Sequence, residues 1–214
     1  MSKLKKFTRN AVRNLETVSE ASKIQNLQVL ASLLQPALRG FILQKGKEGS
    51  SATIQSQFDT TFNWDYQLQD NEFTKLYQKA KLSQWNVQTD LDWSIPVHVD
   101  DPSVELISEE IFPLNQLRTY RRLPRKQQQK HRAELMAWLL SQFLHGEQGA
   151  LFASCHLTSA YRPIEGKLFG STQVVDEGRH VEAFQTYLTT KLNRVYEIND
   201  NLYVILDALM TDRR

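Results

Sequence analysis

From Leu123 to Pro163 the chain carries one long helical pattern, LPRKQQQKHRAELMAWLLSQFLHGEQGALFASCHLTSAYRP. Met136, Leu139, Leu140, Phe143, Leu144, Ala150 and Leu151 recur at helical spacing. Pro124 suits a first-turn position and Pro163 lies beyond the end. A second helical pattern follows at once, from about Pro163 to Leu192. A third, NDNLYVILDALMTDRR, begins at an Asp/Asn cap signal near Asp200. Eight Gly and six Pro among 214 residues are few, which favours long helices over a turn-rich β fold. The fold class expected is all-α, a helical bundle.

Upstream the pattern is weaker. Residues 2–44 look helical, with Leu27, Val29, Leu30, Leu33 and Leu34 in phase and Pro36 expected to break or restart the helix. Residues 45–71 are polar and non-periodic and read as an extended surface segment. EFTKLYQKAKLSQWN reads as a short amphipathic helix, and Pro96 and Pro102 forbid its continuation. Another helix is expected from Ser103 to about Arg122, interrupted by Pro113. The chain therefore divides into a helical and extended segment, 1–71, and a bundle domain, 72–214. No repeat appears at any solenoid period.

Composition bounds the function classes. With 41% apolar and 23% charged residues the chain is ordinary globular material. A net charge of +2 argues against a nucleic-acid or membrane electrostatic design. No run approaches the ~18 apolar residues of a membrane span. The single cysteine, Cys155, permits no internal disulfide. The basic start, MSKLKKFTRNAVRNL, lacks the apolar core of a secretory signal, so a cytoplasmic location is expected.

Two places carry chemistry. Glu147 sits among Phe143, Leu144, Ala150 and Leu151, its neighbours three and four residues away. All four are apolar, so its carboxylate points into a face that should be buried, which is costly unless the group is paired or ligates a metal. Gly146 and Gly149 lie close by, cost helix propensity and would allow close helix packing there. On the next helix, Glu177 and His180 form a Glu-x-x-His with Val174, Val181 and Phe184 on the same face. A carboxylate and an imidazole one turn apart can grip one metal ion. Asp176 and Arg179 fall beside them and can orient the ligands through hydrogen bonds, as metal-binding His residues require.

GEQGAL, a spacer of about thirty residues and then Q-x-x-DEGRH-V-E-A-F resemble the ferritin-like dinuclear carboxylate oxidases and oxygenases. That group includes aminobenzoate N-oxygenases, bacterial multicomponent monooxygenase hydroxylases and ribonucleotide reductase small subunits. The D-E-x-R-H form is more specific to it than Glu-x-x-His alone. LYQKAKLSQWNVQTDLDW resembles the segment before the bundle, and the likeness covers roughly residues 72–210. The resemblance implies a ferritin-like bundle with Glu147 as the first-helix ligand, Glu177 as the carboxylate bridging two metals and His180 as the imidazole on the first metal. It implies two iron ions, Fe/Fe or Mn/Fe, with O2 and an organic substrate as reactants and an electron donor protein as a partner. Gln173 joins Asp176 and Arg179 as an expected support. Phe143, Phe184 and Tyr187 are the candidate substrate-pocket residues.

The chain departs from the family's pattern in one respect. The family takes a further Glu and a further Glu-x-x-His. After His180 only Glu182 and Glu197 remain among the glutamates, and there is no further His. The expectation is that the chain is the N-terminal half of a longer enzyme. Two copies in a homodimer are the alternative route to a full set. A non-catalytic bundle or enzyme remnant acting as an interaction module is the other function class.

The remaining candidates read as structural. His145 projects to another face than Glu147, and His156 reads as packing or surface. Cys155 reads as a small hydrophobe, Glu182 as solvated, and Asp90 and Asp92 as loop residues. The run RTYRRLPRKQQQKHR, residues 118–132, holds seven Lys/Arg and no acid and reads as a solvated turn. A reductase or nucleic-acid docking patch is its functional alternative.

Overall fold

The structure, a computed structural model, describes residues 8–10, 12, 14–21, 23–47, 51–56 and 58–211. The basic start, residues 1–7, lies outside them. The fold is all-α, and no strand occurs among the described residues. No helix among them is long and apolar enough to cross a membrane.

Two helices dominate. α5 runs Arg125–Ala160, 36 residues, and α6 runs Ile164–Tyr187, 24 residues. At 1.5 Å per residue α5 is about 54 Å long. Residues 161–163 join the two, and so short a link forces them antiparallel and side by side. Gly170 makes their closest approach possible. A Cβ there would lie 3.3 Å from Thr158 Cα and nearer still to its hydroxyl. Beyond Tyr187 the helix widens into a π turn, Leu188–Leu192, and ends at Asn193 with φ 50°, a left-handed conformation that Asn tolerates.

The chain then returns along α5, held by polar side chains that the helix presents. Ser141 Oγ accepts from Tyr196 N at 3.0 Å, and Gln142 Oε1 accepts from Asn199 N at 2.7 Å. His145 Nε2–H donates to Tyr196 O at 2.9 Å, and the Tyr196 hydroxyl donates to Glu134. This zipper leads into α7, Asp200–Thr211, which Asn199 caps by accepting from Asn201 N. α7 seats Leu206 over Gly149 of α5, where a Cβ would lie 3.2 Å from Leu206 Cγ and closer to its methyl.

The N-terminal segment packs on the far side of α7. It contains α1, Leu15–Ala21, and α2, Leu27–Ala37, followed by a π turn, Leu38–Ile42. Residues 2–44 read as helical with a break expected at Pro36; the new start instead lies at Asn26, which accepts from Gln28 N and Val29 N. Pro36 does not end that helix. It sits buried within α2, and the helix continues for another turn in widened form. Arg39 reaches from that turn to Asp207, whose side chain is fully buried; Nε donates to Oδ2 at 2.7 Å and a terminal nitrogen donates to Oδ1. Gln44 Nε2 donates to Asp200 Oδ2 at 2.9 Å beside it.

α3, Glu72–Leu82, is capped by Asn71 and lies along α6. Residues 51–56 and 58–71 form no regular structure and tie to the α5–α6 corner through Thr61 N, which donates to Ser159 O, and Asn63 Nδ2, which donates to Arg162 O. The helix expected over Ser103–Arg122 does not form. Asp101 accepts from the backbone and hydroxyl of Ser103, making a turn in its place. Only a 3-10 turn, Pro113–Gln116, and a single helical turn α4, Arg118–Arg121, appear. Ile107, Phe112 and Tyr120 instead pack with Leu135 and Met136 as a small core at the start of α5. That core draws in Arg132, a member of the basic run: it lies 5.7 Å from the Phe112 ring and donates to Glu109 at 2.8 Å.

The buried Asp207 carboxylate makes Arg39 indispensable. Arg39→Met should cost about 3 kcal/mol in urea unfolding, because it strands a desolvated charge. Replacing both as Arg39→Met with Asp207→Leu should recover most of that loss.

Candidate metal centre

The antiparallel contact brings the two sequence signals together. One ligand atom each from Glu147, Glu177 and His180 lie within 4.8 Å of one another. His180 Nδ1 is 3.1 Å from Glu177 Oε2 and 3.3 Å from Glu147 Oε2, so a proton there donates to both carboxylates. Their side chains are shielded but reachable: 25% exposed for Glu147, 20% for Glu177 and 44% for His180. Burial pushes the Glu147 carboxyl above its ordinary range. A hydrogen bond with Glu177 pushes it further, and the charge of His180 pulls the other way.

Arg179 takes no part in neutralising this pair. It donates to Asp176 at 2.5 Å and to Gln84 in the segment after α3. Its guanidinium lies 5.8 Å from the Trp85 ring, and Trp85 in turn lies 6.4 Å from the His180 ring. Neither Asp176 nor Arg179 makes the expected hydrogen bond to a candidate ligand among the described residues; the neighbour that the Arg179 guanidinium and the His180 ring share is Trp85, a residue that sequence reasoning missed because it lies outside both helices. Gln173 sits one turn before Glu177 on α6, and its side chain makes no hydrogen bond among the described residues.

Phe143 and Phe184 bring their rings to 6.0 Å beside the cluster. Tyr187 lies partly buried further along α6, and burial raises its hydroxyl pKa. The cavity of about 540 Å³ is elsewhere: it lies between α5, α7 and residues 51–56, lined by His145, Gly149, Phe152 and His156. By helical periodicity those residues occupy the side of α5 opposite Glu147. His145 serves the backbone of Tyr196, and His156 stacks on Phe58 at 3.9 Å and meets Ser56 at 3.0 Å. Both are structural roles. Glu182 is exposed and accepts from Gln88; Asp90 and Asp92 hold turns through Asn86 N and Ser94 N. Gly149 gives the close approach expected of it, whereas Gly146 meets nothing within 4 Å.

No family model, curated protein or solved structure matches the chain.

The raised Glu147 carboxyl has a measurable consequence. The folded state holds this proton more tightly than the unfolded chain, so its contribution is present below the ordinary carboxylate range and is lost as pH rises through the raised value. In metal-free protein at neutral pH, Glu147→Gln should therefore raise stability on the order of 1 kcal/mol, ~2–4 °C in Tm. The gain should shrink toward pH 4. A variant less stable than the parent at neutral pH would show that the carboxylates are satisfied without a metal.

Proposed function

We propose that Glu147, Glu177 and His180 hold an iron ion, or manganese in a mixed pair, as half of the ligands of a dinuclear carboxylate centre that activates O2 toward an organic substrate. The observation that carries this reading is the convergence of two carboxylates and an imidazole from facing helices within 4.8 Å. Charge supports it: the nearest arginine is committed to Asp176 and Gln84, so His180 alone offsets two carboxylates. Carboxylate and imidazole donors suit iron and manganese. One Glu facing one Glu-x-x-His is also half of the donor set of ferritin-like bundles.

Bound iron supplies the O2 reduction that side chains cannot perform. The chain's own residues do the rest. Glu177 and His180 grip from one turn of α6, and Glu147 closes the site from α5. Arg179 and Trp85 keep the imidazole facing the carboxylates. Phe143 and Phe184 screen one side from water. An electron donor protein supplies the reducing equivalents, and a cytoplasmic setting keeps the lone Cys155 thiol reduced.

One observation favours a second reading. His180 Nδ1 lies within hydrogen-bond reach of both carboxylates, at 3.1 and 3.3 Å, a contact that can hold the cluster together without a metal, as in a non-catalytic bundle. Anaerobic Fe(II) titration separates the two. The proposed centre takes up about one iron per chain, and Glu177→Ala or His180→Ala weakens uptake by more than ~100-fold, beyond what loss of an outer partner costs. Iron uptake that is absent, or indifferent to Glu177→Ala, sinks the metal reading.

Arg179→Met should weaken iron binding by ~10–100-fold without touching a ligand. Its near-ultraviolet circular dichroism should change as Trp85 loses its partner.

A further inference from the structure

We propose that a second copy of this chain covers the open face of α5 and α6, so that two copies of Glu147, Glu177 and His180 meet about a two-fold axis and hold two metal ions. This rests on the metal reading above and names the partner that completes the site.

The first argument is ligand count and charge. One copy offers two carboxylates and one imidazole. Two copies offer four carboxylates and two imidazoles, two Glu and two Glu-x-x-His, which is a full dinuclear set. Four carboxylates also balance two divalent ions.

The second argument is the surface around the site. Leu139, Phe143, Gly146, Ala150, Ala153 and Leu157 recur every three or four residues along α5, a continuous apolar seam beside Glu147. The three large residues are uncovered, at 36% for Leu139, 54% for Phe143 and 57% for Leu157. Gly146 opens onto empty space. The opposite side of α5 is already occupied: Ser141, Gln142 and His145 bind residues 196–199, and Gly149 receives Leu206.

The third argument is that the seam is its own complement. A two-fold axis beside residue 148 runs two α5 helices antiparallel. Phe143 then opposes Ala153 of the other copy, Gly146 opposes Ala150, and Leu139 opposes Leu157. Small meets small next to the axis, large meets small one turn out and large meets large at the ends, in both copies at once, as an isologous interface requires. Glu147 lies one residue from that axis, which brings the two ligand sets together.

The test is analytical ultracentrifugation of the whole chain, without oxygen, with and without Fe(II), beside iron content. The expected result is a dimer holding one iron per chain. Gly146→Leu is the decisive variant. It raises helix propensity and meets no neighbour in the single chain, so the fold by circular dichroism should be kept or strengthened. Across the axis it would collide with Ala150, so the dimer should dissociate at least tenfold more readily and iron affinity should fall at least tenfold. Phe143→Ala and Ala153→Phe should each weaken the dimer, and together they should restore it, since they exchange partners across the axis. A monomer that binds iron tightly would overturn the second copy while leaving the metal reading intact. A chain that binds no iron, in any oligomeric state, would overturn both. A dimer indifferent to Gly146→Leu would place its interface elsewhere and overturn the proposal.

Discussion

α5 and α6 lie so close at Gly170 that the Thr158 side chain occupies the space a side chain there would need, and this approach constrains their relative rotation. A helix turns by about 100° per residue, so a slip of one position would swing Glu147 off the side of α5 that meets α6. Gly170 and Thr158 sit near the corner, about two turns of α6 from Glu177, and the three-residue link shortens the lever between them. The convergence of Glu147 with Glu177 and His180 thus depends on how closely the two helices pack at this corner. Two further helices cover surfaces of this pair, α3 along α6 and α7 along α5, and α2 packs on α7 in turn.

The same packing sets two carboxylates against each other and withholds an arginine from them. Arg179 lies one residue from His180, yet it turns to Asp176, Gln84 and the Trp85 ring. A chain selected only for stability would turn that charge inward or replace Glu147 with an apolar residue. Instead Glu147 is held with its carboxyl pushed toward the protonated form. It is this local disagreement between a residue and its surroundings that the proposed metal would resolve. Arg39 and Asp207 make the contrast: there a fully buried carboxylate receives two donors from one guanidinium, and the pair serves only to dock α7.

Long elements were legible in the sequence because periodicity accumulates with length. α5, α6 and α7 begin and end within a few residues of where their proline, asparagine and aspartate signals place them. The register of Glu147 against its apolar neighbours was legible for the same reason. Short-range competition was not. Over 103–122 apolar residues sit at near-helical spacing, but Asp101 and Pro113 favour turns, and Ile107, Phe112 and Tyr120 gain more by packing on α5 than by aligning on a helix. Arg132 looked solvated within its basic run because its partner, Glu109, is brought near only by that irregular fold. Arg39 with Asp207, and Arg179 with Gln84, join residues more than ninety positions apart, and no local pattern encodes such pairs.

α5 divides its surface between two tasks. On one side Ser141, Gln142, His145 and Gly149 are polar or small at the points where returning chain and α7 must dock, and each has its partner in the same molecule. On the side of Glu147 the helix presents Leu139, Phe143 and Leu157 to solvent, with Gly146 and Ala150 between them. Glycine at 146 weakens a helix, and among the described residues nothing packs within 4 Å of the position its Cβ would take. Glycine at 149, three residues on, is explained completely by Leu206. Two glycines with the same helical cost, and only one with a partner among the described residues, are what the proposed two-fold contact would account for.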